Sequence, residues 1–309
     1  MSHFCYGKKR LDRRNQSWTG LTLLELVVVL GILAALTTIA IRSLEPIADQ
    51  ARYEQTQNAL NELRCAIISP PHNHGGTWTT SQSSFVIDTG TLPIELDGLL
   101  VRPNGLIDRE LQSFDSDRDS IDDVHLASGW NGPYLSLGAG LTQIVDGWGA
   151  EPTLISDLGS LEIRSMGSDG DSVPPEDGYR KDISVTISPQ DYEGSVIFRL
   201  YAIDSLNGSR IDPTPAGNQR LAVLFYGVNS TGGNTGEVTE QLILIPHSGS
   251  FEFRRDNTIV GITAVRAILW EDTNDDQSLD FGETIVSKSI VHYPVIQPRV
   301  DTRVEMELR

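Results

Sequence analysis

Oxygen-bearing side chains recur at odd positions in two short acidic stretches of this 309-residue sequence. In Asp272-Thr-Asn274-Asp-Asp276-Gln-Ser278-Leu-Asp280-Phe-Gly-Glu283 they fall at positions 1, 3, 5, 9 and 12 of a twelve-residue loop, and Ser278 at position 7 can offer its carbonyl. That is the spacing with which an EF-hand loop surrounds calcium, a hard cation that takes about six to eight oxygen ligands. Gln277 stands where position 6 is usually glycine, and the flanks, 262–270 and 284–291, read as strands. The pattern therefore predicts an EF-like calcium loop between strands, or else a solvated acidic turn. Asp115-Ser-Asp117-Arg-Asp119-Ser-Ile-Asp122-Asp123 repeats the odd-position carboxylates but has Leu126, not an acid, at position 12. An ion in either loop would be structural, because it relieves repulsion among the carboxylates and so raises folding stability.

Catalytic patterns are missing from the sequence. It has no Walker loop, dinucleotide fingerprint, Gly-x-Ser-x-Gly elbow or His-Glu-x-x-His pair, and its six histidines are scattered. His72-Asn-His74 sits beside Pro70-Pro71 and Gly75-Gly76 and reads as loop; Cys65 reads as a small apolar helix residue. The expectation is a protein that is not an enzyme. With 42 acidic against 24 basic residues, a formal charge of −18, the chain would repel phosphate backbones, so nucleic acid is not an expected partner.

The elements that must carry these loops are uneven along the chain. Residues 21–41 are almost wholly apolar, with Glu25 as the only ionisable side chain, and follow a basic stretch holding Lys8, Lys9, Arg10, Arg13 and Arg14. At about 1.5 Å per residue this run would span a bilayer core of about 30 Å. It predicts a single-pass inner-membrane protein with a cytoplasmic leader and a periplasmic globular part. A carboxylate within such a run is a functional residue by default and needs a partner. Apolar residues then recur every three or four positions (Leu44, Ile47, Ala48, Ala51, Gln55, Ala59, Leu63, Ile67), so the helix continues to residue 68, where Ser69-Pro70-Pro71 stops it. Residues 69–183 are rich in Gly, Asp, Pro and Trp with short apolar runs, and predict loops and a small antiparallel sheet packed on the helix. From 184 to 309 alternating strands predict a β-sandwich, immunoglobulin-like or transthyretin-like. The fold class expected is α+β: a long N-terminal transmembrane and amphipathic helix on a small sheet, then an all-β sandwich.

Gly20 followed by Leu21-Thr22-Leu23-Leu24-Glu25-Leu26 resembles the class III leader motif of type IV pilins and type II secretion pseudopilins. The resemblance implies that residues 1–20 are a leader removed by a prepilin peptidase after Gly20, and that Leu21 becomes the methylated terminus. It further implies that Glu25 pairs with a neighbouring subunit's amine during assembly. Four further strings resemble the major pseudopilin in its order: Leu92-Pro93 with Asp97-Gly98-Leu99 and Arg102-Pro103; Trp130-Asn131-Gly132-Pro133-Tyr134-Leu135; Asp146-Gly147-Trp148-Gly149; and Ser165-Met166-Gly167-Ser168-Asp169-Gly170 running to Asp182-Ile183. Leu21 in place of Phe, a proline only at Pro46, and Gly147 and Ala150 in the third string depart from the pattern. The likeness covers about residues 20–183. In that family the loop after the Gly-x-Asp-Gly turn holds calcium, which implies Asp169, Asp177 and Asp182 as ligands here.

These readings lead to a structural subunit of a type II secretion pseudopilus. It would assemble through its helix with itself and other pseudopilins on an inner-membrane secretion platform, with calcium as a structural cofactor. The alternative is a minor or tip pilin-like protein whose C-terminal β domain binds a substrate or surface ligand.

Overall fold

The computed structural model describes residues 22–68, 83–138, 143–172, 178–228, 236–245 and 251–309, with backbone alone at 39–44. The chain divides into two compact units, Met1–Gln50 and Ala51–Arg309.

Helix α1 (Leu23–Ile68) runs through Pro46. Within the first unit its large apolar side chains are exposed on every face, among them Leu23, Leu26, Val29, Leu33 and Leu36. Within the second unit one face is buried along Thr56, Leu60, Leu63 and Ile67. That face is displaced from the predicted one: Ala51 and Gln55 are exposed, and Thr56 is fully buried. A hydroxyl is tolerated there because it donates to the Arg52 carbonyl at 2.9 Å and accepts from the Gly147 N–H at 2.9 Å. Cys65, expected as an apolar helix residue, is exposed.

Against that face pack helix α2 (Phe85–Thr89) and a three-stranded antiparallel sheet of β3 (Thr153–Asp157), β4 (Ser160–Ser165) and β5 (Ile183–Ile187), after the hairpin β1 (Glu110–Phe114) and β2 (Val124–Ser128). The cluster unites Leu60, Leu63 and Ile67 with Phe85, Leu161, Ile163 and Ile187.

A single helical turn, α3 (Pro189–Tyr192), opens the remaining β layers. The strands are β6 (Glu193–Ile203), β7 (Arg210–Ile211), β8 (Gln219–Val228), β9 (Val238–Leu244), β10 (Glu252–Ile259), β11 (Gly261–Ile262), β12 (Ala264–Glu271), β13 (Thr284–Lys288), β14 (Val295–Ile296) and β15 (Asp301–Leu308). One sheet has the order β10-β6-β15, with β7 also on β6 and β15 parallel to β6; the other is β13-β12-β8-β9. Their facing sides share a core of Val196, Phe198, Val223, Phe225, Val265 and Met306. The second sheet is buried on its other face as well, where Ala222, Leu224, Tyr226, Ile268 and Trp270 meet Val124 and Leu126 of the β1–β2 hairpin. Burial on both faces explains why β8 reads LAVLFY without alternation.

Two expectations are corrected. The α+β class with a dominant helix gives way to a mostly β chain, 38% strand against 23% helix. Strands make up two facing sheets, a third sheet under α1, a hairpin on the outside and the two-stranded β11–β14 pair, whereas α1 is the one long helix among the described residues. The single-pass inner-membrane placement is also overturned, because no helix among the described residues is long and apolar enough to cross a membrane.

Candidate functional site

The first acidic loop, 115–123, connects β1 to β2 and is tied off by a bond from the Asp123 N–H to the Phe114 carbonyl at 3.0 Å. Asp115, Asp117 and Asp119 each bring a carboxylate oxygen within 4.8 Å of the others, and no other such group of acidic, histidine or cysteine side chains occurs among the described residues. The backbone takes positive φ at positions 4 and 6, Arg118 (60°) and Ser120 (70°). This folds the N–H of Ser120 onto Asp115 (2.5 Å) and that of Ile121 onto Asp119 (2.9 Å).

The second loop, 272–283, between β12 and β13, has the same construction. Positions 4 and 6, Asp275 (58°) and Gln277 (63°), are again left-handed. The Gln277 N–H reaches Asp272 at 3.1 Å and the Ser278 N–H reaches Asp276 at 2.8 Å, the same position-6-to-1 and position-7-to-5 bonds. The bonds from Ser278 hold the Asp276 carboxyl below its ordinary value. The sharp turn normally given to glycine at position 6 is thus made by Ser120 and Gln277, with local carboxylate bonds offsetting the left-handed cost. Asn274 donates to Asp276 (2.9 Å) and Asp280 (3.0 Å), and Ser278 Oγ donates to Asp276 at 2.8 Å, so four predicted ligands converge. Glu283 closes the loop, accepting from the N–H groups of Thr273 (2.9 Å) and Asp280 (3.0 Å).

In the first loop the closing carboxylate comes from position 9. Asp123 accepts from the Ser116 N–H at 3.1 Å and from its hydroxyl at 3.0 Å, as Glu283 accepts from position 2 of the second loop. The loop without a position-12 acid therefore has a substitute that spacing alone does not show. Basic residues also intrude. Arg266 of β12 pairs with Asp123 and, at 3.4 Å, with Asp117; Lys288 of β13 pairs with Asp117. In the second loop Arg220 of β8 pairs with Asp272 at 3.1 Å and with Asp275. Asp117 and Asp272 are both buried, and each keeps one oxygen, Oδ1, without a partner among the described residues. An unmatched buried carboxylate oxygen beside further hard oxygens is what a divalent cation satisfies; the first loop's three carboxylates stand close enough to share one, and the second loop offers the same buried oxygen without three carboxylates so gathered.

The third predicted site lies partly outside the described residues. Asp182 lies 3.7 Å from Arg164, and Asp169 is exposed and accepts from the Asp171 N–H at 3.3 Å. Asp177 lies outside the described residues. The strings around this loop act in packing. Gly147 sits where a Cβ would be 2.1 Å from the Arg52 carbonyl oxygen, so only glycine lets the Asp146–Gly149 turn seat on α1. Asp146 ties that turn to the N–H groups of Trp148 and Ala150 (both 2.9 Å) and to Ser165 Oγ (2.6 Å). Trp130 donates to the Gly98 carbonyl at 3.0 Å and stacks edge-on with Tyr134.

Gly20 and Leu21 lie outside the described residues, as do His72 and His74. Glu25 is described and has a local partner: its carboxylate accepts from the Thr22 N–H (2.8 Å) and Oγ1 (3.0 Å), and its own N–H reaches Thr22 Oγ1 at 3.3 Å. Thr22-x-x-Glu25 is a capping box at the start of α1, a signal present in the sequence that the assembly reading passed over. Comparison with known protein families, with curated proteins and with solved structures finds no match for this chain.

Proposed function

We propose that this chain is a structural subunit of a type II secretion pseudopilus, cut after Gly20 and methylated at Leu21 by a prepilin peptidase. It assembles through α1 with copies of itself and other pseudopilins, on the secretion platform. One observation carries the reading: between Leu23 and Leu36, ten large apolar side chains of α1 stand 48–82% exposed, on every face. A helix that is apolar all round needs neighbours all round, and a bundle of like helices provides them. Glu25 fits the same reading, because a carboxylate at the head of such a helix can be matched by the α-amino group that cleavage after Gly20 creates. Calcium in the two acidic loops stabilises the β layers that each subunit carries on the outside. The subunit has a structural role and catalyses nothing.

Two measurements test this. Intact mass and N-terminal sequencing, with and without the prepilin peptidase, should give a chain starting at methylated Leu21 only when the peptidase is present; a chain still starting at Met1 overturns the reading. Glu25→Gln separates charge from capping, since a glutamine at this position still completes the box. The substitution should abolish filament assembly while leaving the folded subunit intact, and normal assembly would remove Glu25 from the proposal.

A further inference from the structure

Arg255 lies on β10 just before an irregularity in its pairing with β6, where the register shifts between Arg255 and Thr258. The interruption, with Asn257 left-handed at φ 56°, turns both side chains into one cavity of about 220 Å³. The guanidinium is half-buried, with its carbon 4.2 Å from the centre of the Phe225 ring, and it has no hydrogen bond or ion pair to a carboxylate among the described residues. Burial alone lowers its proton affinity, as expected where no acid offsets the desolvation. A second, independent feature lines the same cavity: Thr258 is 4% exposed and its hydroxyl has no partner among the described residues. Among the described residues the rest of the lining holds no acid, in a chain with 42 acidic residues.

A desolvated cation and an orphaned hydroxyl facing one space call for an oxyanion, and a single positive charge matches a monoanion better than a dianion. Ile87, Val228 and Ile262 give the lining an apolar part suited to an aliphatic substituent. We propose that this cavity binds a carboxylate group carried on a small apolar or peptide-like body, held by the Arg255 fork and the Thr258 hydroxyl. The site is separate from both acidic loops and does not depend on filament assembly.

The test is calorimetric titration of the full chain at constant ionic strength with N-acetylglycine, its uncharged analogue N-acetylglycinamide, and inorganic phosphate. Saturable binding of N-acetylglycine is expected, with the amide at least about tenfold weaker and phosphate weaker than the carboxylate. Arg255→Met keeps the apolar stem and should lose about tenfold or more in affinity; Thr258→Val should lose several-fold. Arg255→Lys keeps the charge without the fork and should fall between, which maintains the test if the methionine variant folds poorly. Equal binding of acid and amide, unchanged affinity in Arg255→Met or Arg255→Lys, or no heat with N-acetylglycine at tens of millimolar would each overturn the proposal. Tighter binding of phosphate would overturn the carboxylate assignment.

Discussion

The loops at 115–123 and 272–283 share a turn of the backbone and differ in what surrounds them. Both turn left-handed at positions 4 and 6, and both fold the same two N–H groups onto their own carboxylates. The first is held down on the β13-β12-β8-β9 sheet by Arg266 and Lys288, with Asp117 buried beneath. In the second, Arg220 reaches Asp272 and Asp275, while Asn274, Asp276 and Asp280 remain exposed. One local sequence pattern thus yields a loop partly neutralised by the protein's own cations and a loop that leaves most of its charge to solvent or to an ion. The lesson is that spacing specifies the turn, and long-range packing decides how much of its charge is already matched.

The strongest way to break this comparison is to remove the cation under the first loop. Arg266 is 6% exposed, and Arg266→Met leaves Asp123 without its cation and Asp117 with Lys288 alone, so urea unfolding should show a loss of about 3 kcal/mol. Arg220→Met should cost less, because Arg220 is 20% exposed, Asp272 still accepts from the Gln277 N–H and Asp275 is exposed; equal losses would erase the distinction.

Calcium sharpens the contrast next. Adding it to chelator-treated protein should raise the melting temperature, by about 2.7 kcal/mol of stability at a hundredfold excess over the dissociation constant. The second loop should bind more tightly, having no lysine to displace. Glu283→Gln should therefore remove most of the calcium-dependent shift, and Asp123→Asn only a minor part. The reverse ranking would show that the resident cations do not compete.

Acid titration gives a smaller effect confined to the first loop. Burial pushes the Glu240 carboxyl above its ordinary value, although Arg118 of that loop, at 2.9 Å, pulls it back. A raised carboxylate contributes most when protonated, so its share of stability is full below the unfolded value near pH 4 and is lost as pH rises through the folded value. Glu240→Gln should flatten that fall in stability, measured as the urea midpoint against pH. Smallest of all, Ser120→Gly and Gln277→Gly should each change stability by only a few tenths of a kcal/mol, since relief of the left-handed backbone is offset by the freedom glycine gains when unfolded. A large, unequal response would show that the two backbones are not equivalent.

The sequence made the turns and most of the strands legible, because carboxylate spacing and apolar alternation are local. Asp123 as the closing acid, and Arg266 and Lys288 as its cations, were not, since those basic residues lie 143 or more positions away from their partners. Ile183–Ile187 alternates like the strands that follow, yet it pairs with β4 under α1, a choice made by packing. Thr22 and Glu25 were legible as a capping box, but composition drew attention to the apolar run around them. Thr56 in the buried face of α1 depends on the Gly147 N–H, 91 residues away.

The parallel pairing of β6 with β15 sets an order of events. Ser195 and its neighbour Asp301 are separated by 106 positions, and the strands between them include the whole of the facing sheet. During synthesis β6 therefore waits for most of the β layers to emerge before its second edge is covered, and closing so long a loop is slow. In that interval the bare edge of β6 can accept a strand from another chain as readily as its own β15, so the rate at which newly made protein delivers residues 301–308 governs how much of it folds and how much aggregates.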